Sequence, residues 1–155
     1  MNESVQNLIR PQFWELPLGE LNRQEWEMLC DGCARCCLKK LEDEESSKIQ
    51  FTRVACRYLK HDSCTCKAYK TRHIKVPDCL VLDMENLPAA LHWVPETCAY
   101  KLRFLNKPLL QWHPLLTGDR TMMIAEGIPV TGRILSEENV HESGLEEHVI
   151  RWVKA

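Results

Sequence analysis

Cys30-Asp-Gly-Cys33-Ala-Arg-Cys36-Cys37 places four of the chain's nine cysteines within eight residues. Packing alone does not require that spacing, and the neighbours Asp31, Gly32 and Arg35 do not look like core residues. The other five, Cys56, Cys64, Cys66, Cys79 and Cys98, are spread along the chain as far as position 98. Thiolate is the soft ligand that selects zinc, copper(I) or iron–sulfur clusters. Sulfur at this density, in a chain whose start reads as cytosolic, points to metal. The competing reading, that free cysteine is a small buried hydrophobe, suits Cys79 or Cys98 taken singly better than it suits the run.

Length and composition set the frame. A chain of 155 residues, 45% hydrophobic and 27% charged, is ordinary for one soluble globular domain. The balance of 20 basic against 22 acidic residues gives no global drive toward nucleic acid or anionic membrane. Met1-Asn-Glu-Ser-Val-Gln-Asn7 lacks both the basic and the apolar region of a secretory peptide. No apolar run approaches the roughly 20 residues of a membrane helix. A cytoplasmic protein with no membrane partner is expected. Reducing conditions there argue against a disulfide framework, and an odd cysteine count leaves at least one thiol over.

The expected fold class is α+β: a small single domain over 1–155, with short helices and a few short strands around an irregular cysteine-rich centre. Its parts are an N-terminal arm (1–21), a cysteine-rich metal-binding region (22–100), and C-terminal strands and a helix (101–155). In the arm, Phe13 and Trp14 are the docking aromatics. Asn22 caps a helix running to about Leu29, which Gly32 breaks. The acidic run Glu42 to Glu45 reads as a solvated loop or a first helical turn. Ile49 to Val54 alternates apolar and polar side chains and predicts a strand. Short helices are expected over Leu87 to Trp93 and Cys98 to Leu105. Thr121 to Leu135 predicts a pair of strands turning at Glu126-Gly127. Leu145 to Lys154 predicts a last helix, its acidic start and basic end suiting the helix dipole. Between them, Cys56 to Cys79 is too poor in aliphatic side chains to order itself by burial alone.

Cys30-x2-Cys33-x2-Cys36 resembles the opening of a ferredoxin run, but Cys37 follows at once and no Cys-Pro pair closes it. Adjacent cysteines diverge from neighbouring Cα atoms, so Cys36 and Cys37 serve different metals, or only one is a ligand. If the run were helical, Cys30, Cys33 and Cys37 would share one face; in an extended strand, Cys64 and Cys66 would point to the same side. Nine thiolates divide in several ways. Two tetrahedral zinc sites leave one spare, an iron–sulfur cluster leaves enough for a zinc site beside it, and a trinuclear zinc cluster uses all nine. At least two metal atoms are expected, with zinc or an iron–sulfur cluster as the cofactor.

Between Arg53 and Lys75 stand seven basic side chains against Asp62 alone, a net of +6, which leaves −8 for the rest of a chain totalling −2. That charge suits a thiolate-rich metal centre and favours the thiolate form. A nucleic-acid patch is the rival, weakened by the shortage of interleaved aromatics beyond Tyr58 and Tyr69. His113, in Gln111-Trp-His-Pro-Leu115, is held in extended backbone by the proline after it. It is either a metal ligand or proton-handling group, or a hydrogen-bonded packing residue. His61, His73 and His92 lack ligand spacing with one another, and no phosphate loop, Ser/His/Asp set or H-E-x-x-H occurs.

The cluster Cys30-x2-Cys33-x2-Cys36-Cys37, followed by Val54-Ala-Cys56, Cys64-x-Cys66, Val76-Pro-Asp-Cys79, Pro95-Glu-Thr-Cys98-Ala-Tyr100 and Trp112-His-Pro-Leu115, resembles the YcgN-type members of the bacterial CxxCxxCC family. The resemblance runs from about Trp14 to Trp152. It implies a zinc- or iron-chelating cytosolic protein whose ligands come from the matched cysteines, and it implies no reaction. Related cysteine-cluster domains occur in a flagellin lysine methylase, which leaves catalysis open by analogy alone. The sequence therefore points first to a metal-binding protein using Cys30, Cys33, Cys36, Cys37, Cys56, Cys64, Cys66, Cys79 and Cys98. Its rivals are a metalloenzyme with an open metal position near His113 and Asp119, and a zinc-stabilised nucleic-acid-binding module.

Overall fold

One strand, β2 (Ile49–Ala55), organises the sheet. It is a strand, as the sequence pattern predicts, but it is covered on both faces: Phe51, Thr52, Val54 and Ala55 lose all contact with solvent, while Gln50 and Arg53 stay exposed. β1 (Leu38–Glu42) pairs antiparallel along one edge, with Leu38 opposite Ala55 and Glu42 opposite Ile49. Against β2 also lie β3 (Leu135–Ser136), parallel beside Val54 and Ala55, and β4 (Val149–Lys154), antiparallel beside Gln50 and Thr52. Asp43 accepts the amides of Glu45 and Ser46 at 2.9 and 2.8 Å, so most of the acidic run is the turn joining β1 to β2.

The computed structural model describes residues 8–155, and the first seven residues of the expected arm lie outside the described part. Phe13, 1% exposed, docks the arm as expected. Next comes α1 (Arg23–Leu29), closed at its start by a capping box. Asn22 accepts the Glu25 amide at 2.9 Å, and Glu25 accepts the Asn22 amide at 3.0 Å. Arg10 of the arm donates to both Glu25 carboxylate oxygens, at 2.6 and 3.0 Å, so the arm and the first helix share one buried carboxylate. Further helices are α2 (Arg72–Lys75), α3 (Leu87–Ala90), α4 (Ala99–Phe104), α5 (Pro114–Thr117) and α6 (Thr121–Ala125). The molecule is a small single α+β domain, as expected.

Two expectations fail. Residues 121–135 do not form paired strands. Thr121–Ala125 is helical, started by Asp119 accepting the Thr121 amide at 2.9 Å, and it buries Met123 completely. Only Leu135 and Ser136 are extended and paired. The expected last helix is instead a 3₁₀ stretch (Glu142–His148) followed by β4. Val149, Ile150, Trp152 and Val153 are β-branched or aromatic, and pairing with β2 overrides a charge pattern that suited a helix dipole.

Apolar side chains gather in three small clusters. The first, around Leu38, Phe51, Leu59, Val130 and Val153, includes Cys64 and is touched by Cys37. A second, around Leu18, Leu29, Leu87, Tyr100 and Leu109, is touched by Cys98. The third joins Cys33 to Trp112, Met123 and Ile128. Each of the three clusters thus has at least one cysteine in it or against it.

Candidate metal centre

After Leu29 the chain cannot continue as a helix. Cys30 is extended, Gly32 turns left-handed at φ +73°, and Ala34 does the same at +63°. Only Arg35–Cys37 resumes a helical turn, of the 3₁₀ kind. The cysteine run is therefore a folded-back loop, not one helix face. It is anchored through its main chain. Cys33 donates its amide to Asp31 Oδ1 at 2.9 Å and accepts the Val130 amide at 3.2 Å. Arg120 donates to the Asp31 and Gly32 carbonyls at 3.0 and 3.4 Å, and Arg35 Nε donates to the Ile128 carbonyl at 2.8 Å. A Cβ on Gly32 would stand 2.8 Å from Arg120 Nη1, so this position requires glycine for space as well as for φ.

The same loop aims amides at sulfur. The Arg35 amide donates to Cys33 Sγ at 3.4 Å, and the Gly32 amide favours the thiolate of Cys30. Cys98 precedes the first residue of α4, where the amides of Lys101 and Tyr100 stabilise its charged form. Protein crowding is the largest influence on Cys30 and Cys98 and pushes both thiols up to about 12, although Cys30 itself reaches solvent. The charges of Cys36 and Asp31 oppose ionisation of Cys30, Cys33 and Cys98 alike. Four cysteines from two segments far apart in sequence, Cys30, Cys33, Cys36 and Cys98, thus lie within electrostatic reach of one another.

A second set forms on the other side of the Cys36-Cys37 pair. The Cys56 amide donates to the Cys37 carbonyl at 3.0 Å, tying the end of β2 to the loop. The adjacent thiols of Cys36 and Cys37 act on each other, holding Cys36 below its ordinary value, with Lys40 acting in the same direction, and pushing Cys37 up. Beyond burial, Cys79 is opposed by the charges of Cys36, Cys66 and Cys56, and Cys37 by those of Cys79 and Cys56. Cys66 is reached through a knuckle in which Lys60 donates to the Thr65 carbonyl at 2.8 Å and Leu59 bridges to Cys66. Cys64 stands apart. Its backbone is left-handed at φ +57°, so Cys64 and Cys66 are not the two same-side residues of an extended strand. Its sulfur lies in the first apolar cluster, 2.9 Å from Thr131 Oγ1.

Among the described residues, no three histidine, cysteine or acidic side chains already enclose a point where an ion would sit. The donor chemistry nevertheless fits a soft or borderline metal: clustered thiols, amides directed at sulfur, and cations beside them. Lys40 donates to the Cys36 and Leu38 carbonyls at 2.9 Å each and favours the Cys36 thiolate, and Arg72 does the same for Cys79. What opposes ionisation here is burial and like charge, and a divalent cation reverses both.

His113 is 2% exposed and has both ring nitrogens engaged by main chain. Nε2 donates to the Leu29 carbonyl at 2.9 Å, and Nδ1 accepts the Leu115 amide at 3.0 Å. This neutral ring, its pKa lowered by burial, is stacked beside Trp112 and pins the end of α1 to the start of α5. It lies close to the cysteine loop without offering it a lone pair. Asp119 is used in the same local way, accepting the Thr121 amide. Sequence reasoning missed Asp31, Lys40 and Lys101, the last of which favours the Cys98 thiolate. Asp31 carried a signal, as a carboxylate inside the cysteine run. The two lysines carried none beyond closeness to a cysteine.

Residues 29–99 match the model of the CxxCxxCC family, described as a "putative zinc- or iron-chelating domain". The whole chain is also similar to several bacterial proteins. A UPF0260 protein of Rhodobacter capsulatus is 46% identical over 142 residues, covering 92% of this chain and 95% of the relative. One from Marinobacter nauticus is 42% identical with 91% and 95% coverage, and one from Rhodopseudomonas palustris is 47% identical with 90% and 83%. The chain belongs to the UPF0260 family, with its cysteine region in the CxxCxxCC class. No solved structure matches it. Among the described residues no helix is long and apolar enough to cross a membrane.

Proposed function

We propose that this is a cytosolic protein that binds zinc or an iron–sulfur cluster at two adjacent four-cysteine centres. One is made by Cys30, Cys33, Cys36 and Cys98, the other by Cys37, Cys56, Cys66 and Cys79, with Cys64 as the spare thiol. The observation that carries this reading is that sulfurs far apart in sequence come together on either side of the Cys36-Cys37 pair, Cys98 near Cys30 and Cys36, and Cys79 near Cys37, Cys56 and Cys66, with Cys36 in reach of both sets. Ionising these crowded thiols is unfavourable unless a cation joins them, and eight thiolates suit two tetrahedral ions. The fully engaged ring of His113 removes the best residue of the metalloenzyme reading. The basic segment gives little support to nucleic-acid binding, because the Arg72 guanidinium covers Tyr69 at 4.0 Å and Lys75 lies 6.0 Å from the Tyr58 ring.

Anaerobic purification followed by elemental analysis and visible absorption tests the proposal. Colourless protein with about two zinc atoms per chain, or brown protein with iron and sulfide, supports it. Protein without zinc or iron above trace, with every thiol open to alkylation, overturns it.

A further inference from the structure

Asp31 is the one acidic residue inside the cysteine run, and its carboxylate is half used. Oδ1 accepts the Cys33 amide at 2.9 Å, while Oδ2 is buried and has no hydrogen-bond partner. The residue is 7% exposed. Neither nearby arginine donates to it: Arg120 donates to main-chain carbonyls of Asp31 and Gly32, and Arg35, whose charge Asp31 feels, donates to those of Ile128 and Gly127. A buried carboxylate oxygen with no hydrogen-bond donor is costly and rare in a native structure. The charge of Asp31 opposes ionisation of Cys30, Cys33, Cys36 and Cys98, so these sulfurs lie near it. What that oxygen lacks is a direct partner, and a cation held by those sulfurs would be one.

We propose that Asp31 Oδ2 is itself a metal ligand, making the Cys30, Cys33, Cys36 and Cys98 centre a mixed sulfur–oxygen site for zinc or ferrous iron. This rests on the reading of those cysteines as a metal centre. Carboxylate is the harder donor and thiolate the softer, so the oxygen is the ligand that yields first to an incoming group or to proton competition. Asp31 can bind through Oδ2 while Oδ1 keeps the Cys33 amide, and that bond would fix the carboxylate's orientation. Among the described residues no other buried carboxylate oxygen lacks a partner, so the neighbouring Cys37, Cys56, Cys66 and Cys79 centre is the all-sulfur one. The two centres would differ in lability, one holding metal firmly and the other exchanging it.

The test is a cobalt(II) titration of anaerobic, chelator-stripped protein, comparing wild type with Asp31→Asn and Asp31→Ala and using circular dichroism to confirm folding. Thiolate-to-cobalt charge-transfer bands in wild type establish the cysteine centres, and their absence defeats that underlying reading and this one with it. With those bands present, ligation predicts that one equivalent binds at least tenfold more weakly in both variants and that its ligand-field bands move. Unmoved bands, with or without weaker binding, leave Asp31 as a bystander or a purely electrostatic neighbour and overturn the proposal. X-ray absorption of the wild-type zinc protein gives a check that no variant's folding can spoil. An oxygen scatterer at about 2.0–2.2 Å besides sulfur at about 2.3 Å supports ligation, and an all-sulfur shell overturns it.

Discussion

Gly32→Ala isolates the part played by the loop backbone. At φ +73° an alanine costs about 1–2 kcal/mol relative to glycine. Its Cβ also falls 2.8 Å from Arg120 Nη1, the atom that donates to the Asp31 carbonyl at 3.0 Å. The guanidinium is the end of a flexible side chain and can retreat, but only by giving up that bond, worth about 1.5–3 kcal/mol from a charged donor. Together the losses come to about 2.5–5 kcal/mol, out of a total stability of about 5–15 kcal/mol. Urea unfolding of anaerobic, reduced protein, followed by tryptophan fluorescence, measures this. A double-mutant cycle with Arg120→Ala then separates the two causes. With Arg120 gone the clash disappears, so Gly32→Ala should cost only the backbone part, and the coupling should be about 1.5–3 kcal/mol, the part carried by the Arg120 bond. Equal costs in both backgrounds would refute the steric account, and a neutral Gly32→Ala would refute the left-handed turn as well.

Glu25→Ala removes the capping box and strands Arg10, and should cost about 1–3 kcal/mol in thermal or urea unfolding. The hydrogen bond from Arg10 holds the Glu25 carboxyl down to about 2 against an ordinary 4.5. Its contribution is therefore complete above pH 4.5 and fades as the pH falls toward 2, and the variant should lack that part of the acid transition. His113→Ala should lower stability by about 2–3 kcal/mol by stranding the Leu29 carbonyl and the Leu115 amide, with metal content by elemental analysis unchanged. Metal loss in folded protein would return the histidine to the site. Cys64→Ala should keep the full metal complement while Cys56→Ser loses about half; equal losses would remove the distinction between spare and ligating thiols.

Much of the frame was legible because short-range rules decide it. Asn22 and Glu25 announce the first helix in four residues, and the alternation of Ile49 to Val54 announces the central strand. The failures are of two kinds. In Val149–Lys154 two local signals compete, and the four β-branched or aromatic side chains prevail over charges that suit a helix dipole. At β1, Leu-Lys-Lys-Leu-Glu shows no alternation, because both its lysines lie at least partly in the open and its pairing with β2 supplies the order. The site divides in the same way. That cysteines cluster is written in the sequence, but which ones meet is not, because nothing local to Cys98 says that Cys30 stands beside it.

That long-range grouping explains why the chain tolerates so divided a core. Each apolar cluster is small, and polar bonds tie one to the next: Val130 of the first donates to the Cys33 carbonyl of the third, and His113 beside the third donates to the Leu29 carbonyl of the second at 2.9 Å. Cys33 belongs to the third cluster, Cys37 packs against the first and Cys98 against the second. A metal shared by Cys30, Cys33, Cys36 and Cys98 would bind the second cluster to the third, and one shared by Cys37, Cys56, Cys66 and Cys79 would fasten the polar segment from Cys56 to Cys79 onto the sheet. Metal ligation would then supply long-range cohesion that a single larger core would otherwise have to provide. On this account chelation should loosen the seams before the clusters, with amide exchange rising first around Cys33, Cys56 and Cys98 while Phe51 and Val54 stay protected.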